Sequence, residues 1–386
     1  MRTKFHTVDQ MRAEAQRRLP RLAFDFMDGG SGGELALRRN RDAFARVELV
    51  PRALIDCERR GASVTILGQR FEWPFGIAPI GLANLVWPGA DEALARCAAK
   101  AGIPYVLSTA GTTSIETIAS IAPQSWFQLY VGRDQPIVDS LVARADAAGL
   151  PVLVVTVDVP APGKRVRDLA NRFSLPLRPD ARMALDLVRH PSWAVATLRA
   201  GAPRFANLER YGDRNASPQS LAALMAGQTS ARLDWRLLGE IRERWPRKLV
   251  VKGLMHPDDA QRAKTLGMDG IVVSNHGGRQ LESAPAPLAA LRGIRAAVGD
   301  DMPVLLDGGI RCGEDVAKAL ATGADLVLLG RAFLYGIGAL GPDRGAGEII
   351  RILSDELDRA QAQLGCRNHS ELRQVQIWRT DGNGAH

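Results

Sequence analysis

Aromatic residues are scarce, at 5% of a 386-residue chain, and the arginines are dispersed without a stripe that interleaves positive charge with stacking rings. The net charge of +8 therefore does not point to nucleic acid, which is held by clustered basic residues and stacked aromatics. Small anions or an anionic lipid surface remain as partners for that charge. Cysteine is nearly absent. Cys57, Cys97, Cys312 and Cys366 stand far apart, with neither the spacing of a metal site nor the density of a disulfide framework. A reducing cytoplasm is the expected compartment, and no metal is expected. No run of eighteen apolar residues occurs, so no segment is expected to span a bilayer. The polar, arginine-rich stretch that opens the chain lacks the apolar core of a secretion signal, and none is expected. Also missing is a Gly-x-Gly-x-x-Gly turn after an early strand, which weighs against an open dinucleotide-binding sheet.

Glycine is plentiful, at 38 residues, and it gathers where apolar strands end. The β-branched run Gly270–Val273 is followed by Ser274-Asn275-His276-Gly277-Gly278-Arg279-Gln280. An imidazole exchanges protons near neutral pH and a guanidinium clamps a carboxylate with two parallel hydrogen bonds. The paired glycines are expected to let the backbone approach a flat ligand. Two further strands end in the same manner, at Asp307-Gly308-Gly309-Ile310-Arg311 and at Gly330-Arg331. Glycine-rich loops with arginine after two late strands form a typical phosphate site in a (β/α)8 barrel, where free N–H groups and a helix N-terminus surround the anion.

Apolar strand-like runs alternate with helical ones along the whole chain. They are Phe75–Pro79, Tyr105–Ser108, Ser125–Tyr130, Val152–Asp158 and Lys248–Lys252, followed by the three strands just described. Eight β-then-α units without antiparallel signals predict an α/β fold, a closed parallel barrel of the TIM type, preceded by a helical N-terminal segment and interrupted by an insertion after the fourth strand. The strand ends carry Ser108, Gln128, Tyr130, Thr156, Asp158, Lys252, Ser274, His276, Asp307 and Arg311. Polar groups there cost free energy unless hydrogen-bonded, so their accumulation at one mouth indicates a site.

These motifs, in this order, resemble the FMN-dependent family of L-2-hydroxy-acid oxidising enzymes. The resemblance runs from about Leu19 to Gly365. It rests on the Ser274–Gln280 stretch together with Trp126–Val131, Thr156-Val157-Asp158, Val251-Lys252-Gly253, Asp307–Arg311 and Leu329-Gly330-Arg331. Arg167–Phe173 and Leu364-Gly365-Cys366 look most like the single-domain lactate and mandelate dehydrogenases. The resemblance implies one domain over residues 1–386, with bound FMN. It makes His276 the base, paired with Asp158. Arg165 and Arg279 would hold the substrate carboxylate and Tyr130 the substrate oxygen. Lys252 would lie beside the flavin N1 and O2. Ser108, Gln128 and Thr156 would border the isoalloxazine, Asp307 the ribityl chain, and Gly309, Arg311, Gly330 and Arg331 the phosphate, with Pro79, Gly81 and Ser274 also binding the cofactor. It further implies a tetramer.

Two positions depart from the pattern. Phe26 stands where the family usually has a tyrosine, and Ala110 where glycolate-oxidising members carry a bulky aromatic. Weaker carboxylate binding, or a substrate bulkier and more apolar than lactate in a roomier pocket, is expected; the small-molecule 2-hydroxy acid is lactate, mandelate or a bulkier analogue. Gly81 stands where oxygen-using members commonly carry alanine. Between about 177 and 230, Ala184–Val188, Trp193 and Leu198 interleave with Arg178, Arg182, Arg189, Arg199 and Arg204. Apolar residues mixed with arginine suit an anionic interface. The expectation is a dehydrogenase peripheral to the inner face of the cell membrane that passes electrons to a quinone; an oxidase releasing hydrogen peroxide is the alternative. An active-site lid is the other reading of the insertion.

Overall fold

The computed structural model describes residues 5–173, 180–212 and 230–378. Eight parallel strands close a barrel: β1 (Phe75–Ile80), β2 (Tyr105–Ser108), β3 (Trp126–Tyr130), β4 (Val152–Thr156), β5 (Lys248–Leu254), β6 (Gly270–Val273), β7 (Val304–Asp307) and β8 (Leu326–Leu329). Consecutive strands pair in order, and β8 pairs with β1, for example Leu328 opposite Gly76. The predicted (β/α)8 barrel is the observed fold.

Strand β4 shows why uninterrupted apolar runs were needed. All five of its residues are buried. Val152 and Val154 point into the barrel interior, while Leu153 and Val155 meet the surrounding helices. A parallel sheet covered on both faces leaves no polar side to alternate with. The interior layer of Ala78, Val106, Trp126, Val250, Val272 and Leu305 is sealed at its lower end by the hairpin Val64–Ile66/Gln69–Phe71, which contributes Val64, Ile66, Leu67 and Phe71 to the same cluster.

Before the barrel come α1 (Val8–Arg18), α2 (Arg21–Asp28) and α3 (Leu35–Ala45). Helix α1 is capped by the Thr7 hydroxyl, which accepts from the Gln10 N–H. After β4 come a short helix, Val166–Ala170, then α4 (Ala181–Arg189) and α5 (Pro191–Ala200). Helix α6 (Arg331–Leu340) follows β8, and α7 (Pro342–Leu364) packs on it. α1 lies against α6 where Gly338 leaves room for Ala15 and Leu19. This contact brings the end of α2 over the upper mouth of the barrel.

Of the expected insertion, residues 177–179 and 213–229, with Arg178, lie outside the described residues. The rest is helical and anchored: the Trp193 indole, buried under α5, donates to the Leu85 and Val86 carbonyls at 3.2 and 3.0 Å. No helix among the described residues is long and apolar enough to cross a membrane.

Candidate active site

A cavity of about 830 Å³ opens at the C-terminal ends of the strands. This is the size range of sites that bury a drug-sized ligand or a cofactor. Its wall includes Phe26, Pro79, Gly81, Ala110, Tyr130, Thr156, Arg165, Lys252, His276, Arg279, Asp307, Gly309, Arg311, Gly330 and Arg331. Ser108, Gln128, Asp158 and Ser274 stand behind this wall and bond to its members.

His276 is bonded through both ring nitrogens. Nδ1 lies 3.0 Å from Asp158 Oδ1, and Nε2 lies 3.3 Å from the Tyr130 hydroxyl. With Nδ1 protonated toward the carboxylate, Nε2 carries the lone pair that faces the cavity. Burial pushes the Asp158 carboxyl up, but His276 and Lys252 outweigh it, so it is held below its ordinary range and stays anionic. Its Oδ2 is buried without a partner among the described residues, so the carboxylate has acceptor capacity left. Burial, and then the Asp158 charge, push the Tyr130 phenol up to about 12. At neutral pH it is therefore a donor.

Lys252, 3% exposed, donates to Ser274 Oγ at 2.8 Å and pairs with Asp307 Oδ2 at 2.9 Å. Burial would lower its pKa; Asp307 and Asp158 reverse that, and the ammonium is kept. On the neighbouring strands, Gln128 Oε1 accepts from the Ser108 hydroxyl at 3.0 Å and its Nε2 donates to Thr156 Oγ1 at 2.9 Å. These bonds orient the amide along one wall.

The two arginines of the predicted carboxylate clamp are held differently. Arg279 NH1 donates to the Phe26 and Gly29 carbonyls, both at 2.9 Å, while Nε and NH2 make no hydrogen bond among the described residues. Its guanidinium lies 5.4 Å from the centre of the Phe26 ring. Burial, then the charges of Arg165 and Arg331, push it down to about 9. Arg165 is about one-third exposed and lies 3.6 Å from Asp168. The Phe26 ring meets Phe173 at 5.2 Å.

The glycines after His276 depart from expectation. A Cβ on Gly277 would meet Arg331 NH1 at 2.8 Å, and one on Gly278 the Leu37 backbone N at 2.7 Å. Their missing side chains admit protein, not a flat ligand. Arg331 likewise spends its guanidinium on the Met27, Gly277 and Gly29 carbonyls at 2.8–3.1 Å, so what it can offer an anion is its backbone N–H at the start of α6. Cys312 takes no part: its sulfur caps the helix Gly313–Thr322, accepting from Asp315 N at 3.4 Å.

The Arg167–Phe173 stretch entered only as a likeness, without a role at the site; the structure puts Asp168 beside Arg165, Phe173 against Phe26 and Arg167 on Asp28. Asn40 has no motif around it and becomes visible only through contacts distant in sequence.

The far end of the cavity has the donors and the spare valences of a phosphorylated, hydroxylated ligand. Asp307 Oδ1 and Arg311 Nε are buried with no hydrogen-bond partner among the described residues. Gly309 has φ 95°, and a Cβ there would lie 2.4 Å from the Asn40 carbonyl oxygen. Together with the first turn of α6 this is a cradle for an anion. The sequence of residues 15–379 matches the family model described as FMN-dependent dehydrogenase. The chain belongs to that family.

Similarity to individual members of the family extends over nearly the full length. The chain is 42% identical over 373 residues to (S)-mandelate dehydrogenase of Pseudomonas putida, covering 96% of this chain and 93% of that one. It is 38% identical over 363 residues to L-lactate dehydrogenase of Pectobacterium atrosepticum, covering 94% of each. Among solved structures, monotopic membrane protein (S)-mandelate dehydrogenase superposes with a TM-score of 0.93, covering 97% of this chain and all of that one at 42% identity. As an FMN-dependent dehydrogenase, the chain has in the Asp307–Arg331 cradle the groups that fit the ribityl phosphate.

Proposed function

We propose that this FMN-dependent dehydrogenase oxidises an L-2-hydroxy acid with an apolar side chain, lactate-like or larger, to the 2-oxo acid. The observation that carries the reading is the His276 ring held between Asp158 and Tyr130 in one cavity with Arg165 and Arg279. Bound FMN supplies a two-electron acceptor. Arg165 and the free Nε and NH2 of Arg279 bind the substrate carboxylate, a planar match for a guanidinium. The Tyr130 hydroxyl donates to the substrate oxygen. Oxidation of the carbinol gives up two electrons and two protons; His276 Nε2 takes one proton, and the electron pair, together with the other proton, would go to bound FMN. Asp158 stabilises the imidazolium that results. Lys252 places a fixed positive charge beside Ser274 and Asp307, where the residues also border the cofactor's site.

Phe26, Phe173 and Ala110 give the substrate's side chain an apolar, uncrowded wall. Mandelate-sized acids suit it better than glycolate. The names of the related (S)-mandelate and L-lactate dehydrogenases agree with this range.

The reading extends to the cell membrane. Val188 and Leu198, on α4 and α5, are 76% and 82% exposed, beside Leu185 and Val195. Arg182, Arg189 and Arg199 share these helices. Helices of 9 and 10 residues reach about 15 Å, half the hydrocarbon thickness, so they lie on a bilayer and do not cross it. An enzyme seated there would hand electrons to a quinone. We also infer a homo-oligomer, from the family alone.

Anaerobic mixing of the yellow holoenzyme with glycolate, L-lactate, L-mandelate and L-phenyllactate tests the substrate reading. Loss of the yellow colour reports reduced flavin; rapid loss with the larger acids, abolished by His276→Asn, supports the reading. No bleaching by any of them, with FMN bound, overturns it. Readmitting air then separates a dehydrogenase from an oxidase by the speed at which colour returns.

A further inference from the structure

His276 has φ 58°, in the left-handed region that a β-carbon disfavours. Something must hold it there. The residue before it, Asn275, is buried, and its side-chain amide is completely used. Asn275 Nδ2 donates to Asn40 Oδ1 at 2.7 Å and to the Pro285 carbonyl at 3.0 Å. Its Oδ1 accepts from Asn40 Nδ2 at 2.8 Å and from the Gly278 N–H at 3.0 Å. Two donors and two acceptor lone pairs are all that a primary amide has. Asn40 sits on α3, outside the barrel, and is equally buried. The two amides face each other in a reciprocal pair, each giving and taking one bond.

We propose that Asn40 is a positioning residue for His276. Its amide fixes Asn275, and Asn275 fixes the turn in which His276 adopts its left-handed conformation and presents its ring to Asp158 and Tyr130. The Asn40 carbonyl oxygen also lies against Gly309, so one helix residue braces both the proton-transfer loop and the cofactor loop. The inference rests on His276 as the base. It adds that the geometry of the base is set from the N-terminal segment.

Chemistry makes the pair testable without changing its volume. A carboxylate facing the Asn275 amide sets two acceptors against each other, whereas a protonated carboxyl restores the donor and acceptor. The experiment is anaerobic single-turnover flavin reduction by L-mandelate in FMN-saturated wild type, Asn40→Leu, Asn40→Asp and His276→Asn. In Asn40→Leu the limiting reduction rate should fall about tenfold to a hundredfold, the scale of a small misplacement of a reacting group, with mandelate affinity little changed. In Asn40→Asp the rate should be near wild type at acid pH and fall as the introduced carboxyl ionises, a limb that wild type lacks. Wild-type reduction rates in both variants would overturn the proposal. So would a loss seen only before FMN saturation and absent once the enzymes are saturated, because the pair would then serve the cofactor loop alone. Rapid reduction in His276→Asn would instead sink the assignment of the base, whatever Asn40 does.

Discussion

Arg279 is the residue whose charge is least secure. Burial and two neighbouring arginines hold its pKa down to about 9, so its cationic form is lost as pH rises through that value. A substrate carboxylate needs the cation. The ratio kcat/KM, which reports the free enzyme, should therefore fall above pH about 9 through a rise in KM. A steady-state profile that stays flat through this range would show that Arg279 either keeps its charge or does not bind the carboxylate. Phe26, beneath the same guanidinium, lacks the hydroxyl of the family's usual tyrosine. Phe26→Tyr should lower KM by about tenfold to a hundredfold, the equivalent of a hydrogen bond to a charged group at about 1.5–3 kcal/mol. The gain should be largest for small acids such as lactate, whose binding depends most on the carboxylate, and initial-rate measurements on lactate and mandelate would resolve it. Unchanged KM for both acids would refute it.

At the scale of elements, the end of α2 organises the site. Asp28 Oδ1 accepts from Arg12 Nε and the Tyr335 hydroxyl, both at 2.7 Å, and Oδ2 accepts from Arg12 NH2 at 2.8 Å and Arg167 NH1 at 2.9 Å. Burial raises its pKa, but Arg12, Tyr335 and Arg167 together bring it down to about 2. A folded-state pKa below the ordinary 3.8 contributes stability above that value and loses it as pH falls toward 2; the difference is worth about 2 kcal/mol at neutral pH. Asp28→Asn should lower unfolding free energy by about that amount at pH 7 in denaturant titrations, with the gap to wild type narrowing in acid. An equal gap at both pH values would mean that packing, not charge, is lost. This element also marks the limit of what could be read in advance. The barrel was legible because each strand is a short apolar run bounded by glycine, and because His276, Arg279, Asp307 and Arg311 fall at strand ends. Arg331 was legible as a motif but not as a strap, since two of its three carbonyl partners, Met27 and Gly29, lie at the end of α2, 304 and 302 positions away. Asn40 carries no local signal at all: an asparagine on a helix gains meaning only when Asn275 arrives opposite it.

The molecule as a whole has two ends that differ in chemistry. The upper end carries the cavity, and beside the barrel α4 and α5 expose Val188 and Leu198. If these residues seat the protein on lipid, Leu198→Asp should weaken co-sedimentation with anionic vesicles at low salt severalfold, leaving mandelate-driven flavin reduction in detergent unaffected. Wild-type protein that never sediments with such vesicles would refute the membrane reading. The lower end is stoppered by the Val64–Phe71 hairpin, whose apolar side chains merge with the barrel interior. That stopper has a kinetic meaning. With the interior filled, reducing and oxidising partners must use the same doorway by turns, so the enzyme should shuttle between two stable forms. Initial rates measured against hydroxy acid at several acceptor concentrations should then give parallel double-reciprocal lines, and excess hydroxy acid should slow turnover by occupying the doorway when the acceptor's turn comes.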